Sequence, residues 1–166
     1  LLNALHLGIE HMDGMNAPRI LDSGARQEFG TGAVRDIQEG KGRCDLMPLE
    51  VVAEITMNPI IECIAGFQNT GKTQCLYNAL CLFADRAYDD RSDENRTSSQ
   101  NYATMLLEVA KHFEEGAKKY GENNWQKGIP VHCYIDSAVR HYLKWMRGDK
   151  DEPHDRAFVW NLMCCI

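Results

Sequence analysis

The chain has 166 residues and carries 18 basic against 24 acidic side chains, a formal net charge of -6. That length suits one domain of ordinary size, and the acidic balance argues against sequence-independent nucleic-acid binding, which needs Lys and Arg to displace counterions from phosphate. With 44% hydrophobic residues and no apolar run of spanning length, the sequence excludes wholesale disorder and a membrane-spanning helix.

In chain order, residues 1–21 show no consistent period and contain Pro18, so they read as an N-terminal extension outside the fold. Leu1–Ile9 lacks the basic flank of a signal peptide. Residues 22–166 read as one helical domain. Residues 22–48 are rich in Gly and charge, which predicts irregular backbone with room for a short helix. Pro48 marks the first turn of a helix with Val51, Val52 and Ile55 on a face. Leu76, Leu80 and Phe83 predict a second helix over 73–88, and 89–101 is a polar loop with several candidate N-caps. Leu106, Val109, Ala110, Phe113, Ala117 and Tyr120 predict a third helix that ends at Gly121. Ile135, Ala138, Val139, Tyr142 and Met146 predict a fourth that ends at Gly148. The fifth, from about His154, is apolar nearly all round and is expected to be the central buried helix. No alternating strand of useful length is visible, so the class is all-α, a compact bundle of about five helices.

The seven Cys have no framework spacing and no CxxC pair. They read as reduced, buried, hydrophobe-like residues, which points to a cytoplasmic protein rather than a disulfide scaffold or a thiolate zinc site.

Gly66 to Thr73 fits the phosphate-binding pattern GxxxxGK[ST]. Its context does not. Glu62 sits in the middle of the presumed central strand, no later apolar run ends in Asp, and no βα units follow to build a parallel sheet. A helix–turn–helix loop is the preferred reading, and a P-loop NTPase is the weakest of three functional ones.

Charge is unevenly distributed. Residues 1–100 hold 9 basic and 15 acidic side chains, whereas residues 101–166 hold 9 of each, all three Trp and four of the six His. The third helix aligns Glu108, His112, Glu115 and Lys119, with Glu114 and Lys118 beside them. These are either solvated i,i+4 ion pairs or carboxylates for Mg²⁺ with lysines for phosphate. Trp125 is a core plug or a base-stacking ring, with Asn123 or Asn124 reading the base edge. Asp149, Asp151 and Glu152 are a charged turn or a hard-cation site. His154 and Asn161 fall on one face of an otherwise apolar helix, where a buried amide must find partners.

Three stretches carry a resemblance: Lys41–Pro48, Glu115–Pro130 with its GAKKYGENNW core, and Ala138–Trp145 with Gly148-Asp149 and His154–Asn161. They resemble the phage and prophage dATP/dGTP diphosphohydrolase N-terminal domain family, relatives of the all-α MazG-like NTP pyrophosphohydrolases. The resemblance runs from about Asp22 to the end. It implies Mg²⁺- or Mn²⁺-dependent cleavage of (deoxy)purine triphosphates such as dATP or dGTP into pyrophosphate and a nucleoside monophosphate. On that resemblance Glu115, Asp149 and Glu152 would hold metal, and Glu114 or His141 would orient water. Lys118, Lys119, Asn124, Trp125, Arg140, His154 and Asn161 would contact substrate. A homodimer, a bacterial cytoplasmic location and a C-terminally truncated last helix are further expectations from it. Asp149 and Glu152 follow Gly148 rather than lying clearly within a helix, and no ExxE pair accompanies Glu115, which departs from the MazG-like pattern. The rival reading is a non-catalytic helical binding module.

Overall fold

Proline and glycine set the boundaries of most helices in the computed structural model, which describes residues 24–166 apart from Arg91. The expected extension at 1–21 lies outside the described residues. Six α-helices follow a two-stranded hairpin: α1 (Leu49–Thr56), α2 (Pro59–Thr70), α3 (Thr73–Ala87), α4 (Ser98–Tyr120), α5 (Val131–Arg147) and α6 (His154–Cys165). Pro48, Pro130 and Pro153 precede α1, α5 and α6, and Pro59 opens α2. Proline there has a preset φ and lacks an N–H that the helix would leave unpaired. Gly71 and Gly148 end α2 and α5 in the left-handed conformation, at φ 67° and 87°. Thr97 starts α4 with a reciprocal capping box to Gln100. The bundle is all-α apart from the hairpin.

Two expectations about elements need correcting. The described residues form six helices where about five are expected, because Ile60, Ile61 and Ile64 belong to α2 and are buried. A short apolar run has no period of its own to separate strand from helix. Here Asn58 decides: its Oδ1 accepts from the N–H groups of Ile60 and Ile61 at 3.0 and 3.4 Å. The second correction is the hairpin within 22–48, formed by β1 (Arg26–Glu28) and β2 (Val34–Asp36), antiparallel with Gln27 opposite Arg35. Strands of three residues are too short to show alternation. The expected short helix is a 3-10 turn at Cys44–Leu46.

The P-loop reading is overturned. Residues 66–70 lie inside α2, so their N–H groups are engaged in helix hydrogen bonds and cannot cradle phosphate. The two glycines have other work. A Cβ on Gly66 would stand 3.3 Å from Cys75 Sγ, so Gly66 permits close approach of α2 and α3, and Gly71 caps α2.

The core is continuous across the bundle. Phe83 of α3 packs on Phe158 of α6 at 4.6 Å between ring centroids and on Trp145 and Tyr142 of α5 at 5.0 and 6.0 Å. As expected, α6 is the central helix. Ala157, Phe158, Val159 and Leu162 are buried, and α6 packs on α3, α4 and α5. The buried stripe of α4 is Met105, Val109 and His112, while the predicted Leu106 and Ala110 are exposed. On α1 the buried residues are Leu49 and Ala53, and Val51 and Ile55 face outward. Among the described residues no helix is long and apolar enough to cross a membrane.

Candidate functional site

Two features stand out in the second half of the chain. The first is an aromatic cavity of about 200 Å³ between the end of α4, the 121–125 loop and α6. Phe113, Tyr120, Trp125 and Trp160 line it, with Glu122, Asn123 and Asn124 along the loop. Phe113 meets Trp125 and Trp160 edge-on at 5.9 and 6.0 Å. Gly121 and Asn123, both at positive φ, turn the chain sharply enough to fold Trp125 back over α4. Trp125 keeps 37% of its surface exposed, so its ring is not spent in the core.

The second feature is a His–carboxylate cluster where α5, the 148–153 turn and the start of α6 meet. His141 Nδ1 and His154 Nδ1 lie 3.0 Å apart. Glu152 Oε1 stands 3.6 and 3.7 Å from those two nitrogens. His154 Nε2 is 2.8 Å from Asp151 Oδ1, and Lys144 donates to Asp151 Oδ2 at 3.0 Å. Gly148 ends α5 and lets the chain reverse, which returns residues 152–154 to the side of α5. Burial, followed by the proximity of His154, holds the His141 imidazole well below its usual pKa. Lys144, with help from His154, holds the Asp151 carboxyl at about 2.

A polar seam runs beside these features. Arg35 of β2 donates from Nη2 to Ser137 Oγ and to Asn161 Oδ1, each at 3.0 Å, and its guanidinium covers the Tyr134 ring at 4.9 Å. Its Nη1 and the Nδ1 of His112 are buried without a hydrogen-bond partner. Burial, then Arg156, Lys119 and Arg35, pushes the His112 pKa down to about 3. His112 is therefore neutral in the folded protein. Below about pH 6.5 the unfolded chain takes up a proton there that the folded one refuses, so stability falls as pH drops toward 3. Acidification from pH 7 to 4.5 is expected to cost about 3 kcal/mol through this residue. Urea unfolding of wild type and His112→Leu at both pH values measures it; equal acid losses in the two would refute it.

The structure brings together only part of the predicted set. His141, Glu152 and His154 converge. Asp149 lies near them with Asp151 and His154, but Arg147 grips it at 2.5 and 2.8 Å. Glu115 joins neither cluster and sits 3.5 Å from Arg156. Glu114 and Lys118 are exposed and paired with each other on the solvent side of α4. Lys119 is bound to Asp36 at 2.7 Å. Asn124 accepts from the Val34 N–H at 2.9 Å and donates to the Val34 carbonyl at 2.8 Å, which pins the hairpin. Arg140 pairs with buried Asp136 and donates to the carbonyls of Lys41 and Gly42. Asn161 is the buried partner of Arg35 and also donates to the Ala157 carbonyl. Lys119, Asn124, Arg140 and Asn161 are thus engaged in contacts that join the hairpin and the 41–42 backbone to the helices or lie within them. Arg35, Phe113 and Trp160 are not among the site residues expected from sequence. The Trp160–Asn161 pair in a buried helix was the one available signal.

A larger depression of about 620 Å³ lies between α1 and α2, but Glu50, Glu54 and Glu62 line it, the wrong charge for a polyphosphate. Among known families, the one described as "dATP/dGTP diphosphohydrolase, N-terminal" matches, over residues 86–166. No curated protein and no solved structure matches the chain.

Proposed function

We propose, from the premise that residues 86–166 belong to the dATP/dGTP diphosphohydrolase N-terminal domain family, that this chain hydrolyses deoxypurine nucleoside triphosphates to pyrophosphate and a nucleoside monophosphate. One observation carries the reading: the aromatic cavity and the His–carboxylate cluster are both built entirely from that segment. The GxxxxGK[ST] lookalike lies outside it.

In this reading the purine ring stacks against Trp125 and Trp160, with Asn123 and Glu122 at its edge. Lys118, exposed and one turn before Gly121, exchanges Glu114 for the triphosphate in this reading. The reaction joins a water oxygen to phosphorus, breaks the anhydride bond and releases pyrophosphate, so it needs a deprotonated water and neutralised phosphate charge. His141, Glu152 and His154 supply three converging donor atoms for the divalent ion that the family resemblance implies. An ion bound there would polarise phosphate oxygens and lower the pKa of water. Asp151 holds the His154 ring through Nε2, and Lys144 balances the Asp151 charge, so the cluster keeps its orientation as substrate enters.

Incubation of the full chain with dATP, dGTP, dCTP and TTP plus Mg²⁺, Mn²⁺ or Zn²⁺ tests the reading. Pyrophosphate and monophosphate are expected in equal amounts, with the purines preferred. Trp125→Ala is expected to raise KM about 10- to 100-fold, the usual value of one stacked base, with kcat changed little. Folded protein that releases no pyrophosphate from any of the four would overturn the activity and favour a binding module.

A further inference from the structure

We infer that His141, Glu152 and His154 form a site for a borderline first-row transition ion, of the class of Zn²⁺, Co²⁺ or Fe²⁺, rather than for Mg²⁺. This specifies the metal of the cluster on which the proposed function rests. The carboxylates expected to hold Mg²⁺ are not assembled: Glu115 is turned to Arg156, and Asp149 is held by Arg147. Each of the two clusters among the described residues contains His154, so neither is an all-oxygen set. Mg²⁺ favours oxygen donors, whereas imidazole suits Zn²⁺, Fe²⁺ and their neighbours.

The geometry fits such an ion. Donors bound at about 2.0–2.2 Å to one ion stand roughly 3.0–3.5 Å from each other. The three donor–donor distances here are 3.0, 3.6 and 3.7 Å, so closure needs shifts of a few tenths of an ångström. Two His and one Glu also leave coordination positions open for water and phosphate, the pattern of catalytic rather than structural sites.

The neighbouring contacts provide a second, independent argument. Asp151 engages His154 Nε2 at 2.8 Å, which makes Nε2 the donor to that carboxylate and turns Nδ1 toward His141 and Glu152. A carboxylate behind a ligating imidazole is the usual support of a metal-bound histidine. His154 is 2% exposed, and two facing Nδ1 atoms in so enclosed a place need a shared proton or a cation between them.

The test uses the full chain stripped of metal. Calorimetry is expected to show Zn²⁺ bound at least about 100-fold more tightly than Mg²⁺. Seven thiols also attract Zn²⁺, so the imidazoles must be read directly. In wild-type protein, Zn²⁺ is expected to shift the Nδ1 ¹⁵N resonances of His141 and His154 and to leave that of His132 in place. His141→Gln and Glu152→Gln are each expected to weaken Zn²⁺ binding at this site at least tenfold. Unshifted His141 and His154 resonances, or Mg²⁺ bound as tightly as Zn²⁺, would overturn the assignment. Protein that shows the shifts but hydrolyses no nucleotide keeps the metal site and loses the proposed activity. Protein that hydrolyses with Mg²⁺ alone and shows no shifts does the reverse.

Discussion

Glu152→Gln is expected to lower dATP and dGTP hydrolysis by at least about 100-fold while the fold survives. The loss is set by comparison with contacts one step further out, which already cost 10- to 100-fold when removed around metal-binding histidines. Gln keeps the shape and volume of Glu, so packing against His141 and His154 changes little. It removes the negative charge that faces the two imidazoles at 3.6 and 3.7 Å. Pyrophosphate release at saturating substrate measures the effect, and circular dichroism confirms the helices. A variant with near wild-type turnover would remove Glu152 from the reaction centre and leave the imidazoles to explain it alone.

Phe83→Ala is expected to be the most damaging single change to stability, at about 4 kcal/mol. Phe83 is fully buried and its ring touches Tyr88, Tyr142, Trp145 and Phe158, which come from three different segments. Truncation leaves a cavity that those large, mutually constrained rings cannot collapse to fill, so the cavity adds to the lost transfer energy. For a chain of this size the melting temperature should fall by about 8–16 °C. Differential scanning calorimetry measures it. A loss under about 1 kcal/mol would mean that the ring cluster is mobile enough to repack.

The two changes separate roles that lie close together in space. Tyr142 and Trp145, on α5, belong to the ring cluster, and His141, immediately before Tyr142 on the same helix, belongs to the donor cluster. Neighbouring positions on α5 point to different sides, so one helix carries both the packing and the candidate chemistry. A stability loss at Phe83 is expected to lower activity only through the folded fraction, whereas Glu152→Gln lowers turnover of folded protein.

The helices were legible in the sequence because their signals are local. Proline before α1, α5 and α6, Thr97 with Gln100, and Gly121 and Gly148 act within a few residues of themselves, and an apolar face repeats at helical spacing. The uniform apolarity of α6 likewise placed it at the centre. Candidate residues were legible as types: His, carboxylate and Trp gathered in the last third of the chain. Their partners were not. Lys119 and Asn124 looked like substrate contacts, yet both are spent on a hairpin more than 80 residues away in sequence. Arg140 looked like a phosphate ligand, yet it closes on Asp136 and the 41–42 backbone. Glu115 had the right chemistry and was turned to Arg156. Sequence spacing fixes which side chains share a helix face, but whether a charge is free or paired depends on what the next element brings against that face. The hairpin and the 148–153 turn make that decision here. They bring Arg35, Asp36 and Asp151 to positions that no local pattern encodes, and so leave His141, Glu152 and His154 as the donors that converge.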